Sequence, residues 1–175
     1  MEGYLAASPT GLEAALEGLK VAKAHGVKTA LTLSDVSMIN FCRAGLEAMV
    51  ADGLDYLFAN EEEAQVWCGS TELDAILPQL QKLARTVCLT RGPKGCIVLQ
   101  GSDMANVPAV PAKAVDTNGA GDMFAGAFLY GVTHGMGHAQ AAALANRAAA
   151  AVVSQHGNRL TAERLQTLAR EALAA

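Results

Sequence analysis

The segment Asp116-Thr-Asn-Gly-Ala-Gly-Asp-Met-Phe-Ala-Gly126 decides how the rest of the chain is read. Gly119 and Gly121 precede an apolar run with helical spacing, and Asp122 falls in its first turn. A glycine-rich turn opening a helix leaves several backbone N–H groups without intrahelical partners. The helix dipole adds positive potential at the same place. Such a turn binds anions, phosphate above all. Residues without a Cβ at 119 and 121 let an anion approach the backbone. Close packing of the helix through Gly126 and Gly131 would hold the turn rigid. A second reading stays open on these residues alone: Asp122 complements the dipole and the glycines shape a turn that holds nothing. Neither of the two common phosphate loops is present. GxxxxGK[ST] is absent, and GxGxxG fails at Phe124, which also speaks against a Rossmann-type oxidoreductase.

Working outward, segments of two periods alternate. Leu12–Ala24 reads as a helix, with Thr10 and Glu13 as a capping box and Gly26 as its stop. Val27–Leu33 reads as a strand, Phe41–Val50 as a helix and Leu54–Phe58 as a strand. Helices follow over Glu61–Trp67 and over Leu73–Ala84, where Pro78 predicts a kink. Thr86–Thr90 and Cys96–Gln100 read as strands of a hairpin turned by Arg91-Gly-Pro-Lys-Gly95. Gly119–His134, His138–Gln155 and Ala162–Ala172 are helical. Tyr4-Leu-Ala-Ala reads as a further strand at the start. Strands separated by helices predict an α/β fold, a mainly parallel sheet with helices on both faces. Residues 1–175 form a single domain in this reading, since Pro108–Pro111 is a loop too short to divide it. Five or so strands are few for a doubly wound sheet, so the chain is expected to be the later part of a larger fold.

Composition narrows the function classes. Of the 175 residues, 51% are hydrophobic and 17% charged, enough apolar matter for a large core and too much for a disordered chain. The net charge is −4 and the Lys and Arg residues are scattered, so no basic face for nucleic acid is expected. The apolar stretch near Ala141–Val153 is broken by Asn146 and Arg147 and is too short to span a bilayer. Met1-Glu-Gly-Tyr carries no export signal. Cys42, Cys68, Cys88 and Cys96 show no ligand-like spacing and read as reduced, buried thiols of a cytoplasmic protein. His134 and His138 are four apart, but Gly135 and Gly137 place them in a loop, and HExxH is absent.

The whole run Asp116-Thr-x-Gly-Ala-Gly-Asp122-x-Phe124 resembles the C-terminal signature of the PfkB, or ribokinase-like, carbohydrate and nucleoside kinases. The resemblance implies a ribokinase-like fold and an ATP-dependent phosphotransferase with an alcohol acceptor. It makes Asp122 the catalytic base, and Gly119, Ala120 and Gly121 the anion hole. Asn60-Glu-Glu-Glu63 is similar to the family's N-x-x-E motif, which implies Asn60 at the nucleotide and Glu63 organising Mg²⁺ through water. The same two residues also make an N-cap and its N3 partner. Thr90-Arg-Gly92-Pro-Lys-Gly95 is similar to the turn that lines the nucleotide site; as residues alone it is equally a plain hairpin. Thr117 joins the nucleotide set by resemblance, and Asp116 is implied as a site for a monovalent cation such as K⁺. Asn146 shares a helical stripe with Ala142, Ala149, Ala150 and Val153. The resemblance places it near the adenine, while a buried amide is equally satisfied by neighbouring backbone.

Leu31-Thr-Leu-Ser-Asp35, Asn40-Phe-Cys-Arg43, Asp55–Glu61, Glu2-Gly-Tyr-Leu5 and Gln155-His-Gly-Asn-Arg159 resemble the adenosine-kinase-like branch, though Val36 stands where that branch has proline. Adenosine is therefore the first expected acceptor, ahead of ribose and other sugars. Asp35 follows a strand's carboxyl end, where α/β ligand sites gather. The resemblance covers only the later part of the family. It implies that the acceptor pocket and β-lid are missing, that apolar surface is exposed, and that the chain alone is inactive or nearly so. The partners it implies are ATP, a small nucleoside or sugar, and either a second copy in a homodimer or a separately supplied N-terminal half. The alternatives are a non-catalytic nucleotide-binding module and a subunit of such a two-part enzyme.

Overall fold

The computed structural model describes residues 1–173, so the last two residues of the expected 1–175 span lie outside it. The elements in chain order are α1 (Pro9–Ala24), β1 (Ala30–Thr32), α2 (Val36–Phe41), α3 (Arg43–Val50), β2 (Leu54–Asn60), α4 (Glu61–Cys68) and α5 (Leu73–Leu80). Then come β3 (Ala84–Thr90), β4 (Cys96–Gln100), β5 (Asp103–Val107), α6 (Ala120–Thr133), α7 (His138–Val153) and α8 (Ala162–Leu173). The five strands form one sheet in sequence order, β1-β2-β3-β4-β5. β1 and β2 are parallel, with Ala30 opposite Tyr56, Leu31 opposite Leu57 and Thr32 opposite Phe58. Links of five and two residues join β3 to β4 and β4 to β5, lengths that only antiparallel neighbours allow. The α/β class with a mixed sheet is as the alternation predicts.

The chain divides into two compact units, Met1–Leu89 with Leu99–Asp103, and Thr90–Val98 with Met104–Ala175. In the first, β2 is buried at nearly every position, the near-continuous pattern of a parallel strand covered on both sides. Leu31, Leu33, Ile39, Leu46, Leu57, Ile76 and Leu80 form its core. In the second, the core lies between α6 and α7. A Cβ on Gly131 would stand 2.8 Å from that of Ala141, so the two helices meet backbone to backbone there. Phe124 and Phe128 are buried and stacked, with His138 stacked on Phe128.

Local physics moves several expected boundaries. The cap of α1 is Ser8, whose side chain accepts the Gly11 N–H, with Pro9 preset at the first helical position; Thr10 and Glu13 form no capping box. Gly26 does end that helix: its N–H bonds Lys23 and the Val27 N–H bonds Ala22, a Schellman pair. That bond consumes the start of the expected Val27–Leu33 strand, which is why β1 begins at Ala30. Tyr4-Leu-Ala-Ala is not a strand but part of a 3-10 turn, Gly3–Ala7; only Glu2 bridges Thr32. The expected Phe41–Val50 helix is two helices, broken at Cys42 and begun earlier by Asp35, which caps Ser37. Pro78 lies inside α5, which stops two residues later, leaving Ala84 to β3. β5 was not expected; its residues alternate weakly and are largely exposed, so it carries little hydrophobic signal. Gly126 is exposed with open space where its Cβ would be, so it does not pack α6 against anything as expected; Gly131 does.

Of the four free thiols, Cys88 and Cys96 are buried while Cys42 and Cys68 are half-buried. Phe41 is 85% exposed, and Val27, Met104 and Tyr4 are also open. Among the described residues no helix is long and apolar enough to cross a membrane.

Candidate functional site

In the second unit, the turn ahead of α6 is built from Asp116 upward. The Val115 and Asp116 N–H groups donate to Val153 O at 2.7 and 3.2 Å, which pins the incoming chain to the end of α7. The Asp116 carboxylate accepts the Asn118 N–H at 3.0 Å on one oxygen and the Gly157 N–H at 3.3 Å on the other. Thr117 O accepts the Ala120 N–H, and Gly119 O accepts the Met123 N–H to start the helix. Gly119 sits in the left-handed region (φ 76°, ψ 4°) and provides no side-chain cap. The N–H groups of Gly121 and Asp122 therefore face outward without a partner among the described residues.

The two glycines serve different ends. A Cβ on Gly119 would stand 2.6 Å from the Asn158 Cβ, so the αL turn and the close approach of the α7–α8 loop both require glycine there. Gly121 is exposed and has nothing within 4 Å where its Cβ would be. The open approach expected at both positions exists at Gly121 alone. Asp122 is exposed in the same turn, its carboxylate without a hydrogen bond or ion pair among the described residues. Open space over paired, unsatisfied N–H donors at the positive end of a 14-residue helix fits a phosphoryl group.

The Thr90–Gly95 turn lies in the same unit. Gly92–Lys94 is a 3-10 turn closed by the Arg91 N–H donating to Gly95 O at 2.8 Å. Thr90 is half-buried, and Gly92 is exposed at φ 54° with open space above it. Gly95 is buried at φ 88°, and a Cβ there would lie 2.1 Å from Val107 O and 2.7 Å from Ala109 N. Asn146 on α7 is 8% exposed and donates its amide hydrogens to Val107 O at 3.2 Å and Pro108 O at 3.0 Å. It also hydrogen-bonds Cys96, whose thiol burial nonetheless pushes up to about 11. The structure thus gathers Gly95, Cys96, Val107, Pro108 and Asn146 into one cluster, in which the Asn146 amide is met by backbone.

In the first unit, Asn60 and Glu63 form the capping box of α4. Asn60 Oδ1 accepts the Glu63 N–H at 2.8 Å, and the Glu63 carboxylate accepts the Asn60 N–H at 3.0 Å and its Nδ2 at 2.6 Å. Glu63 is buried, and that burial holds its pKa above the ordinary 4.5; the Asn60 N–H opposes the rise, and the charges of Asp35 and Glu62 add to it. Asp35 caps α2, and its bonds from the Ser37 hydroxyl and N–H hold its pKa below 3.8. Both carboxylates follow the carboxyl ends of parallel strands, the end where α/β sheets gather ligands. A carboxylate kept unhappy by burial and by like charge is one a cation would relieve. Among the described residues no group of three His, Cys, Asp or Glu side chains is placed to hold a metal directly.

These carboxylates set a pH dependence. Glu63 has its folded pKa raised, so the stability it contributes is complete below 4.5 and is lost as pH rises through its folded value. Asp35 has the opposite sign: its contribution is present above 3.8 and is lost as pH falls through its lowered value. Glu63→Gln keeps an acceptor for the Asn60 N–H and removes the charge. Urea unfolding across mildly acid to neutral pH is expected to fall less steeply for the variant. A slope equal to wild type would show that Glu63 titrates normally.

Gly157, Asn158 and Ser34 fall within segments quoted for the branch resemblance, but nothing in the sequence assigned the brace that Gly157 and Asn158 give the Asp116–Gly119 turn, or the contact Ser34 makes. Ser34 is the one non-glycine residue at positive φ (72°) among the described residues, and its hydroxyl accepts the Gly3 N–H at 2.7 Å. No periodicity or motif marks such contacts, because they join residues about 30 to 40 positions apart.

The pfkB family carbohydrate kinase model matches residues 1–164, and the chain belongs to that family. It is similar to a ribokinase of Lactococcus lactis, 38% identical over 85 residues, which cover 49% of this chain and 27% of the relative. It is also similar to an adenosine kinase of Saccharomyces cerevisiae, 36% identical over 92 residues, covering 45% and 27%. Among solved structures, adenosine kinase from Sinorhizobium meliloti superposes with a TM-score of 0.91 at 35% identity, over 98% of this chain and 53% of that one. The fold is therefore ribokinase-like and the branch adenosine-kinase-like. The chain spans about half the length of that structural relative and about a quarter of the first curated ones.

Proposed function

We propose that this chain carries the phosphate-binding turn and the general base of an ATP-dependent kinase acting on an alcohol of a nucleoside or sugar, with adenosine the first acceptor to test. The observation that carries the reading is the unfilled space over Gly121, bounded by free N–H groups and the Asp122 carboxylate. Phosphoryl transfer builds charge on equatorial oxygens through a loose transition state, so fixed donors matter more than a strong base. In this proposal the Gly119, Ala120 and Gly121 backbone cups the transferred group, the Gly119, Gly121 and Asp122 N–H groups being free to donate while that of Ala120 already meets Thr117 O at 3.3 Å, and Asp122 takes the proton from the acceptor hydroxyl.

Thr90, Gly92, Gly95 and Thr117 line the nucleotide in the same proposal. Asn146 acts there by tying Val107 and Pro108 in place, since backbone carbonyls already take its amide hydrogens. Mg²⁺, when bound, neutralises phosphate charge as a Lewis acid. Glu63 is the residue that would hold it, through water, with Asn60 at the nucleotide. A K⁺ at Asp116 would use the lone pairs that Asn118 and Gly157 leave on that carboxylate. The family relatives' greater length supports a further expectation, that turnover by these 175 residues alone is low. A cytoplasmic location belongs to the same proposal.

Gly121→Leu tests the reading directly. The exposed, open position tolerates the side chain, and replacing a helical glycine leaves stability unchanged or raises it by up to about 1 kcal/mol. The side chain would fill the phosphate space and bar the anion from backbone donors whose charge-assisted bonds are worth about 1.5–3 kcal/mol each, so Mg·ATP affinity by calorimetry should drop at least about tenfold. Unchanged affinity would remove the turn from nucleotide binding. Binding that drops in the variant, with no phosphorylated product from any form of the protein, would leave a nucleotide-binding module without transfer.

A further inference from the structure

Asn118 stands apart from the other asparagines of the chain. It alone is followed by glycine; Asn40, Asn60, Asn106, Asn146 and Asn158 precede Phe, Glu, Val, Arg and Arg. Asn60 and Asn146 are also held by side-chain hydrogen bonds. Asn118 is exposed on the turn between Asp116 and α6, and its side-chain amide has no hydrogen bond among the described residues. Its backbone N–H is fixed by Asp116, whereas the N–H of Gly119 donates to nothing among the described residues. Asparagine is a thermolabile residue. A following residue without a Cβ, in a turn that only glycine adopts freely, leaves the neighbouring nitrogen unobstructed.

We infer that Asn118 is a site of spontaneous deamidation lying inside the phosphate-binding turn. The Gly119 nitrogen gives up its proton to solvent base and attacks Cγ of Asn118. A new N–C bond closes a succinimide, and the side-chain nitrogen leaves as ammonia. Water then opens the ring at either carbonyl, to aspartate or isoaspartate. The net change is one water consumed and one ammonia released, with no oxidation or reduction. Either product places a new carboxylate beside Gly119, and isoaspartate also lengthens the main chain by one methylene there. The chemistry stands on its own, but its consequence rests on the proposed function. If the turn holds phosphate, a fixed negative charge next to it opposes binding, and an aged population of this kinase would lose nucleotide affinity without unfolding.

The test is to age the purified protein at mildly alkaline pH, with and without Mg·ATP, and to map conversion by tandem mass spectrometry. Trypsin releases residues 114–147 as one peptide, which places the buried Asn146 beside Asn118 as an internal control. A gain of about one mass unit is expected at residue 118 and not at 146, with labelling by an isoaspartyl methyltransferase. Asn118→Thr should abolish both. Converted protein should bind Mg·ATP about tenfold more weakly or worse, and Mg·ATP should slow conversion. Conversion at 118 no faster than at Asn40 or Asn158 would overturn the inference. Fast conversion at 118 that Mg·ATP does not slow, in protein whose affinity is unaltered, would uphold the chemistry while removing the phosphate from this turn.

Discussion

In a form of the protein competent for turnover, Asp122→Asn is expected to lower kcat for the proposed phosphoryl transfer by about 10²–10⁴-fold, the range a positioned general base supplies, while Mg·ATP affinity stays within about threefold. The reason is local. Asp122 sits at the third helical position of α6, exposed, and its carboxylate bonds no other group among the described residues. It holds nothing together, so its loss should cost little stability. Asparagine keeps the size and removes the ability to accept a proton. The backbone N–H groups that would meet the phosphate are unchanged by the substitution. Steady-state kinetics together with calorimetry on the same preparation separate the two effects. Near-normal kcat in the variant would leave the acid as a mere complement to the helix dipole.

Gly95→Ala is expected to be the most damaging single substitution for the second unit, at about 3 kcal/mol or more. Two costs add. The position has φ 88° and ψ −135°, a conformation that essentially only glycine adopts without strain of about 1–3 kcal/mol. The new methyl would also stand 2.1 Å from Val107 O, a distance no side-chain motion can relieve because the obstacle is backbone. Overpacking of this kind costs about 1–3 kcal/mol by itself. Pushing Val107 and the loop after it away would break the two bonds that Asn146 makes to Val107 and Pro108. Urea unfolding should show the loss. Gly92→Ala is the comparison: its φ of 54° costs strain, but nothing lies within 4 Å, so its effect should be clearly smaller. Equal effects at the two positions would mean that strain alone, and not contact with the loop, explains the need for glycine.

What the residues disclose in advance follows from how local their physics is. The α6 turn is legible because glycines, an acid in the first turn and an apolar run are adjacent in the chain. The Asn60–Glu63 pair is legible for the same reason, and the structure shows both sides of its capping box. The Thr10–Glu13 box fails because Ser8 and Pro9 offer a better start two residues earlier, a competition that a motif read alone does not weigh. β5 escapes notice because an exposed strand needs no hydrophobic alternation. The brace at Gly157 and Asn158 is invisible for a different reason. It joins positions about 40 residues apart, through one backbone N–H and one methylene contact, and neither leaves a mark on composition or spacing. Gly119 and Gly121 look alike as residues, yet one accommodates Asn158 and the other is open.

In the proposed function, the free N–H groups at the head of α6 receive the phosphate. A titration of ¹⁵N-labelled protein with Mg·ATP, followed at the amides of Gly119, Ala120, Gly121 and Asp122, tests it most directly. Large saturable shifts at these amides, weakened in Gly121→Leu, are the predicted result. Saturable binding that leaves all four amides unmoved while shifting others would contradict it.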